Sequence, residues 1–513
     1  MNLPAMSFDG PVPRGDAEVR VALDRALDRA RQVASYADVL YERIYKSEAN
    51  LLSSGQVIVK PASLKGAAQV RLVGAGGRHV GVRAGEVTPE ALPGAVDRAA
   101  AALAAEPPAP AFGLAPIPNP SRVRYGLVVD EDPREVDPTG AFLDMVEGVK
   151  RIAAERSSER VRVVPELWSW TQVEEKWVAD TDGVFKTQVM PVSFLQVIFR
   201  AVRGERQART RVRFGEAACL GYYVREGRLA GFVETSLREE CERAVQLLDA
   251  RPLTSEERAR VSHYVLHNSS LVFIHEGLGH PIEADIARAG GSAIVAPDGK
   301  PRVEPLGSPV VRIVDGPAPS HDGTPQATRG FGTELIDDEG VEVQNTVLVD
   351  GGRIVGMMHS RETAHHFGVA PTGNGFSELG DRRIVRMRNT TLCPAVGSAA
   401  WVDALDELVR DVTFGVVLHG SLGGAVSKEG MSSSTQYGWL VRDGKVTGEL
   451  IAPGNFTALT AGCLKTVEGY AGAIDAHGVG FCGKSGQTRR VTEGGPEYVK
   501  VAASPAVLLT FEG

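Results

Sequence analysis

Two histidines five residues apart, with a proline directly behind the second, constrain this chain more than any other feature. They lie in the run Phe273-Ile274-His275-Glu276-Gly277-Leu278-Gly279-His280-Pro281. Two imidazoles flanking a carboxylate inside an apolar stretch match what a catalytic zinc site requires: neutral nitrogen ligands and a base close to the water to be activated. The spacing is His-Glu-x-x-x-His, one residue longer than the common His-Glu-x-x-His. On an ideal α-helix, residues i and i+4 lie about 40° apart around the axis, whereas i and i+5 lie about 140° apart. A regular helix therefore cannot aim both rings at one ion. A π-turn, closed by i→i+5 hydrogen bonds, brings them to one face. Gly277 and Gly279 loosen the backbone between the rings. Pro281 has no N–H and collides with the carbonyl of Gly277 in a continued α-helix. The spacing predicts a helix distorted at His275–His280. The competing reading is a bent, buried helix whose histidines are only hydrogen-bonded.

A catalytic zinc usually takes three protein ligands and keeps one position open. Glu283 and Asp285 are the nearby candidates for the third. The distant candidate is Cys482, in Gly480-Phe481-Cys482-Gly483-Lys484. Glycines on both sides let the backbone approach an ion closely, and the charge of Lys484 favours a thiolate. A solitary cysteine is otherwise a small buried hydrophobe, so composition alone leaves the third ligand open.

The length of 513 residues implies two or three domains. A formal net charge of −8 argues against a nucleic-acid-binding surface. No apolar run approaches the roughly 20 residues of a membrane span. Met1 to Arg20 lacks an apolar core, so a signal peptide is not expected. The 5 cysteines are odd in number and form no CxxC pair, which fits a reducing cytoplasm rather than a disulfide framework.

Along the chain, helical spacing marks Ala17–Ala34, Thr88–Ala105 and Pro138–Ser157. Strand-like runs cover Ala37–Tyr45, Gln56–Val59, Gln69–Val73, Val161–Trp170, Trp177–Ala179, Lys186–Arg200 and Gln207–Phe214, with Asp182-Gly183 as a tight turn. Pro107–Pro120 carries 6 prolines and no charge and reads as an extended linker. Leu229–Leu248 reads as a helix leading into the second domain. Beyond the metal motif, strands dominate, among them Asn345–Val349, Arg353–His359, Val412–Leu418, Tyr437–Arg442 and Tyr498–Phe511. Ser398–Val409 is the one other long helical candidate there. The expected fold class is α+β. An N-terminal α/β domain with an antiparallel sheet, residues 1–225, has two halves joined by the linker 106–121. A β-rich C-terminal domain, 226–513, carries the metal-binding helix.

Other features read as structural. Glu256-Glu257-Arg258 and Asp337-Asp338-Glu339 are expected on solvated faces. His365 and His366, adjacent on one strand, would point to opposite faces. Gly420–Gly424 lacks the GKS/T ending of a phosphate loop. Arg382, Arg383, Arg386 and Arg388 suggest an edge strand or a clamp for a peptide carboxylate, too small a patch for DNA.

Several ordered motifs give the chain a resemblance to a known family. They are His275-Glu276-x-x-Gly279-His280 with Glu283 and Asp285, Asp337-Asp338-Glu339-Gly340, and Pro371-Thr372-Gly373-Asn374-Gly375. Arg386-Met387-x-Asn389-Thr390, Gly420-Ser421-Leu422-Gly423-Gly424 and Cys482-Gly483-Lys484-x-Gly486-Gln487 complete the set. From about residue 30 onward the chain resembles the TldD/PmbA peptidases, on the catalytic TldD side. The resemblance implies one zinc per chain on His275, His280 and Cys482, with Glu276 as catalytic acid/base. It implies short or unfolded peptides as substrates, and a chamber closed by an identical chain or by a motif-lacking PmbA/TldE-like sister. Backbone amides near Gly423 and Gly424, or His419, are candidate oxyanion donors; Arg386 and Asn389 are candidate substrate contacts. Pro281 departs from the small residue expected there. The rival functions are a non-catalytic peptide-binding or regulatory subunit of the same kind of complex, and a zinc amidohydrolase of small molecules.

Overall fold

The N-terminal sheet is built from unusually long strands, and its two central ones, Arg162–Asp180 and Phe185–Arg203, are largely buried on both faces. The structure, a computed structural model, describes residues 12–510 apart from 110, 121, 128, 130–131, 226, 228–230, 232–233, 271–273, 317–329 and 506. In chain order the first elements are α1 (Asp16–Ala30), β1 (Tyr36–Leu51), β2 (Val57–Val73), β3 (His79–Ala84) and α2 (Ala91–Ala105). They are followed by β4 (Arg122–Gly126), α3 (Thr139–Arg156), β5 (Arg162–Asp180), β6 (Phe185–Arg203) and β7 (Arg206–Glu216). The strand order is β3-β2-β1-β5-β6-β4, with β7 on the other half of the β6 edge. All neighbours are antiparallel except β4 and β6.

Side chains alternate across a strand, so each face can be read separately. Val163, Leu167, Leu195, Val197 and Phe199 pack under α3 and the helix Ser236–Gln246. Ala37, Val39, Trp177 and Ala179 pack under α1 and α2. On the opposite face Trp170, Met190, Val192 and Phe194 meet Phe331, Val479 and Phe481 from the second half of the chain. Glu174, Glu175 and Lys176, whose charge makes Val161–Ala179 read as two strands, lie within the unbroken β5. They are ion-paired: Glu175 to Arg43 at 2.7 Å, Lys176 to Asp338 at 2.6 Å and Glu174 to Arg490 at 2.6 Å.

The second half is centred on an eleven-stranded mixed sheet among the described residues. Its strand His263–His267 pairs parallel with Phe414–His419 and antiparallel with Gln487–Ala502. Val467–Lys484 and Gln487–Ala502 form a long hairpin joined by Ser485 (φ 53°) and Gly486 (φ 79°). Positive φ at both turn residues matches the right-handed twist of the arms. A separate four-stranded sheet has Gly423–Val426 at its edge. No helix among the described residues is long and apolar enough to cross a membrane.

Three expectations are corrected, and a fourth falls partly outside the described residues. Ser398–Val409 is not a helix: Trp401–Val402 pairs as a short strand with Tyr470–Ala471, and only Leu405–Leu408 turns helically. His365 and His366 sit in the last turn of a helix, Arg361–Phe367, ended by Gly368 at φ 67°. Asp337, Asp338 and Glu339 are buried. Asp337 accepts from the amides of Glu339, Val341 and Gly375, while Asp338 and Glu339 pair with Lys176 and Arg71. Leu229–Leu248 is described as a helix over Ser236–Gln246; Leu229, Ala230, Phe232 and Val233 lie outside the described residues.

Candidate metal centre

The histidine pair sits on a π-turn. His275–Gly279 winds with i→i+5 closure, and the amide of His280 donates to the carbonyl of His275. The chain then tightens into a 3-10 turn over His280–Ile282 containing Pro281, and leaves through extended Glu283. The wider turn removes the divergence of an α-helix, so the two ring centroids lie 5.0 Å apart and nearly perpendicular. Gly279 is needed for space: a Cβ there would lie 1.9 Å from Met387 Sδ, itself buried. At Gly277 an added Cβ would meet Cys463 Sγ at 3.4 Å, an ordinary contact. Phe273, which opens the motif, lies outside the described residues.

Cys482 arrives from the other side of the molecule. On its strand Phe481 packs into the N-terminal sheet, and the period of two turns Cys482 the opposite way. Its Sγ lies 3.4 Å from His280 Nε2. One ligand atom from each of His275, His280 and Cys482 falls within 4.8 Å of the others. A tetrahedral zinc with bonds of about 2.0–2.3 Å separates its donors by about 3.3–3.8 Å; the 3.4 Å between Cys482 and His280 lies in that range, and the chemistry of the three donors suits such an ion. The far sides of the rings are held by carboxylates. Glu283 Oε2 lies 2.8 Å from His280 Nδ1, and Glu493 Oε1 lies 3.2 Å from His275 Nδ1, near enough to attract it but out of line for a hydrogen bond. Carboxylates behind histidines in this way orient metal ligands. Glu283 thus stands behind His280, and Lys484 clamps it (3.0 Å) to Asp285 (2.7 Å). Arg386 donates to the carbonyls of Cys482 and Gln487, bracing the cysteine's strand.

The charges within the cluster depend on one another. Burial pushes the Cys482 thiol up, but His275 and His280 outweigh it and bring it down to about 5. Burial disfavours charge on the histidines too; Cys482 and Glu493 nevertheless raise His275 to about 8, and Glu283 with Cys482 raises His280 to about 10. The histidines, more than Lys484, make the thiolate favourable. A buried thiolate needs positive charge beside it, and a divalent cation supplies that charge while accepting both imidazoles as neutral ligands.

The cluster opens into a cleft of about 960 Å³. Glu276, His419, Gly423 and Gly424 line it. Glu276 is half-buried. His419 is stacked between His267 (4.5 Å) and Tyr437 (5.1 Å), and burial keeps its pKa well below the usual histidine value, so the ring is neutral. Gly423 and Gly424 begin the exposed edge strand. Arg386 and Asn389 do not line the cleft. Arg386 is fully buried, and the Asn389 amide donates to Thr333. The expected carboxylate clamp is likewise consumed internally: Arg383 pairs with Asp38 at 2.6 Å and Arg388 with Asp315 at 3.1 Å.

Residues 263–463 match the model of the PmbA/TldA metallopeptidase C-terminal domain. Over that span the chain is similar to the TldD/PmbA proteins. A metalloprotease of Methanothermobacter thermautotrophicus is 36% identical over 289 residues, 56% of this chain and 58% of that protein. A zinc metalloprotease TldD homolog of Saccharolobus solfataricus is 30% identical over 234 residues, 45% of this chain and 47% of that protein. The chain thus matches about half the length of these relatives. The crystal structure of TldE from Thermococcus kodakarensis shares the fold, with a TM-score of 0.70 at 15% identity, over 96% of this chain and 100% of that one.

Sequence reasoning missed Glu493, Glu240 and the pair Arg211 and Arg213, all of which line the cleft. Glu493 had a signal: the Ser485-Gly486 turn sets the hairpin register, and counting back from it places Glu493 opposite Gly478 on the arm carrying Cys482. The others lie more than 30 residues before the motif with no local mark.

Proposed function

We propose that this protein is a TldD-like, zinc-dependent peptidase acting on short or unfolded peptides. His275, His280 and Cys482 hold the ion and Glu276 serves as general acid/base. The observation that carries the reading is three zinc-type donors within 4.8 Å of one another at a cleft also lined by a half-buried glutamate. Bound zinc would supply Lewis acidity, polarising a carbonyl and making water acidic near neutral pH. The chain's own groups do the rest. Glu283 and Glu493 hold the imidazoles in place, and Glu276 takes a proton from water and returns it to the departing amine. The backbone at Gly423 and Gly424, or the neutral imidazole of His419, is in the cleft to stabilise the developing oxyanion. Among the described residues the edge strand Gly423–Val426 has one unpaired side in its sheet and carries mostly small residues, so an extended peptide can join it by main-chain hydrogen bonds.

On this reading residues 1–225 and 226–513 act as two units. A second subunit, identical or TldE-like, closes the chamber, and the protein works in the cytoplasm with its cysteines as free thiols. The test is metal analysis and peptide cleavage on Glu276→Gln. Glutamine keeps the size and hydrogen bonding of the side chain but cannot accept the proton. The variant should retain zinc and lose cleavage by at least about 100-fold; an active, zinc-loaded variant sinks the assignment.

A further inference from the structure

β7 carries Arg209, Arg211 and Arg213 at alternate positions, on one face of the strand. Arg211 and Arg213 line the cleft that holds the His275–His280–Cys482 cluster. Neither forms an ion pair among the described residues, and every hydrogen-bond partner of their guanidinium groups is neutral. Arg211 donates to the carbonyls of Ser421 and Leu422, directly before the edge strand Gly423–Val426. Arg213 donates to Gln196 Oε1 at 2.8 Å and to the carbonyl of Val479 at 3.5 Å, on the strand of Cys482. The cleft's carboxylates are placed elsewhere. Glu493 stands behind His275, and its field reaches Arg213 only from beyond ion-pair distance. Glu240 accepts from the Tyr437 hydroxyl at 3.0 Å, Glu497 is bonded to Tyr498, and Glu276 belongs to the motif itself.

Two half-buried cations facing one cleft with only neutral partners are an unusual arrangement. Burial pushes the Arg211 guanidinium down to about 9, and Arg213 and Arg209 push it the same way. No carboxylate among the described residues pairs with Arg211 to offset its desolvation and the repulsion of its neighbours, and Glu493 acts on Arg213 only from a distance. An anion lodged between the two relieves both, and the planar guanidinium fork suits a carboxylate best.

We propose that Arg211 and Arg213 form a carboxylate-recognition subsite for the bound peptide, between the edge strand and the strand of Cys482. This rests on the peptidase reading and adds a preference to it. The carboxylate is either the peptide's C-terminal α-carboxylate or an Asp or Glu side chain.

Equilibrium binding tests it without turnover. A short, unstructured fluorescent peptide is titrated onto zinc-loaded Glu276→Gln protein in four forms: free acid, C-terminal amide, and amides bearing one internal Glu or Gln. At least one charged form should bind about tenfold or more tightly than its neutral counterpart. Preference for the acid alone assigns the C-terminus; preference for Glu over Gln assigns the side chain. Arg211→Gln and Arg213→Gln should each erase most of the preference, and Arg211→Lys and Arg213→Lys should keep part of it, which a merely structural role would not do. If the glutamine variants fail to fold, the charged-to-neutral binding ratio should fall toward one as salt rises. Equal binding of charged and neutral peptides, or a preference surviving both glutamine variants, overturns the subsite, as does a complete lack of peptide binding. The peptidase reading fails by a different readout, the absence of cleavage of any of the four peptides by the zinc-loaded unmutated protein.

Discussion

Cys482 illustrates how a single residue takes its chemistry from its neighbours. Of the five buried cysteines, burial pushes Cys241, Cys393 and Cys463 up to about 12, whereas Cys482 is brought down to about 5 by two histidines. Zinc binding should follow that difference. Cys482→Ala should lose most of its zinc by metal analysis, and Cys463→Ala should keep it although Cys463 lies beside Gly277. Glu283→Gln should sit between, with zinc affinity reduced about 10–100-fold, because it leaves His280 without the carboxylate that orients it. Full zinc retention in Cys482→Ala would remove the thiolate from the ligand set.

At the scale of elements, the π-turn is held in place by packing as well as by spacing. Gly279 lies where Met387 crosses the turn, and a methyl group there overlaps the sulfur. Met387 is buried and has little room to withdraw. Gly279→Ala should therefore destabilise the protein by about 1–3 kcal/mol and weaken zinc binding as the turn shifts. Gly279→Ala combined with Met387→Ala should recover part of the zinc affinity, since the second change frees the space. Thermal melting and metal analysis of the two variants beside the parent decide it; a Gly279→Ala protein that melts and binds zinc like its parent refutes the packing argument.

At the scale of the molecule, the halves are tied by buried ion pairs. Asp38 on β1 meets Arg71 and Arg383, each at 2.6 Å. Burial raises its carboxyl, but Arg383 and Arg71 outweigh this and hold it at about 2, below the ordinary aspartate value of about 3.9. The folded value is depressed, so the stabilisation is complete above pH 4 and disappears as pH falls through 2. Asp38→Asn should cost about 2–4 kcal/mol near pH 7, and its deficit in denaturant unfolding should shrink between pH 4 and pH 2. A deficit independent of pH over that range would assign it to packing. The same architecture bears on substrate. A peptide that joins the edge strand must be extended, and a folded domain presents such a segment only by unfolding locally. One polypeptide should be cut faster in a destabilised mutant form than in its stable fold; equal rates would rule out selection for extended chains.

The sequence by itself determined what is local. The His275–His280 spacing with Pro281 behind it pointed to a distorted, π-type turn, because helical geometry separates i and i+5 on any regular helix. Asp182-Gly183 marked the turn between β5 and β6, because Gly183, at φ 100°, occupies backbone space open to glycine. What depends on partners distant in sequence was decided only by tertiary structure. Asp337, Asp338 and Glu339 look like a solvated run until Lys176, Arg71 and the amide of Gly375 surround them. Arg386 looks like a substrate contact until the carbonyls of Cys482 and Gln487 claim it. Arg211 and Arg213 resemble any alternating strand until the second half of the chain builds a cleft over β7 and gives them only neutral partners. A charged side chain carries no local mark of whether it will meet water, a counter-ion or a ligand, because that depends on which distant surface the fold brings against it.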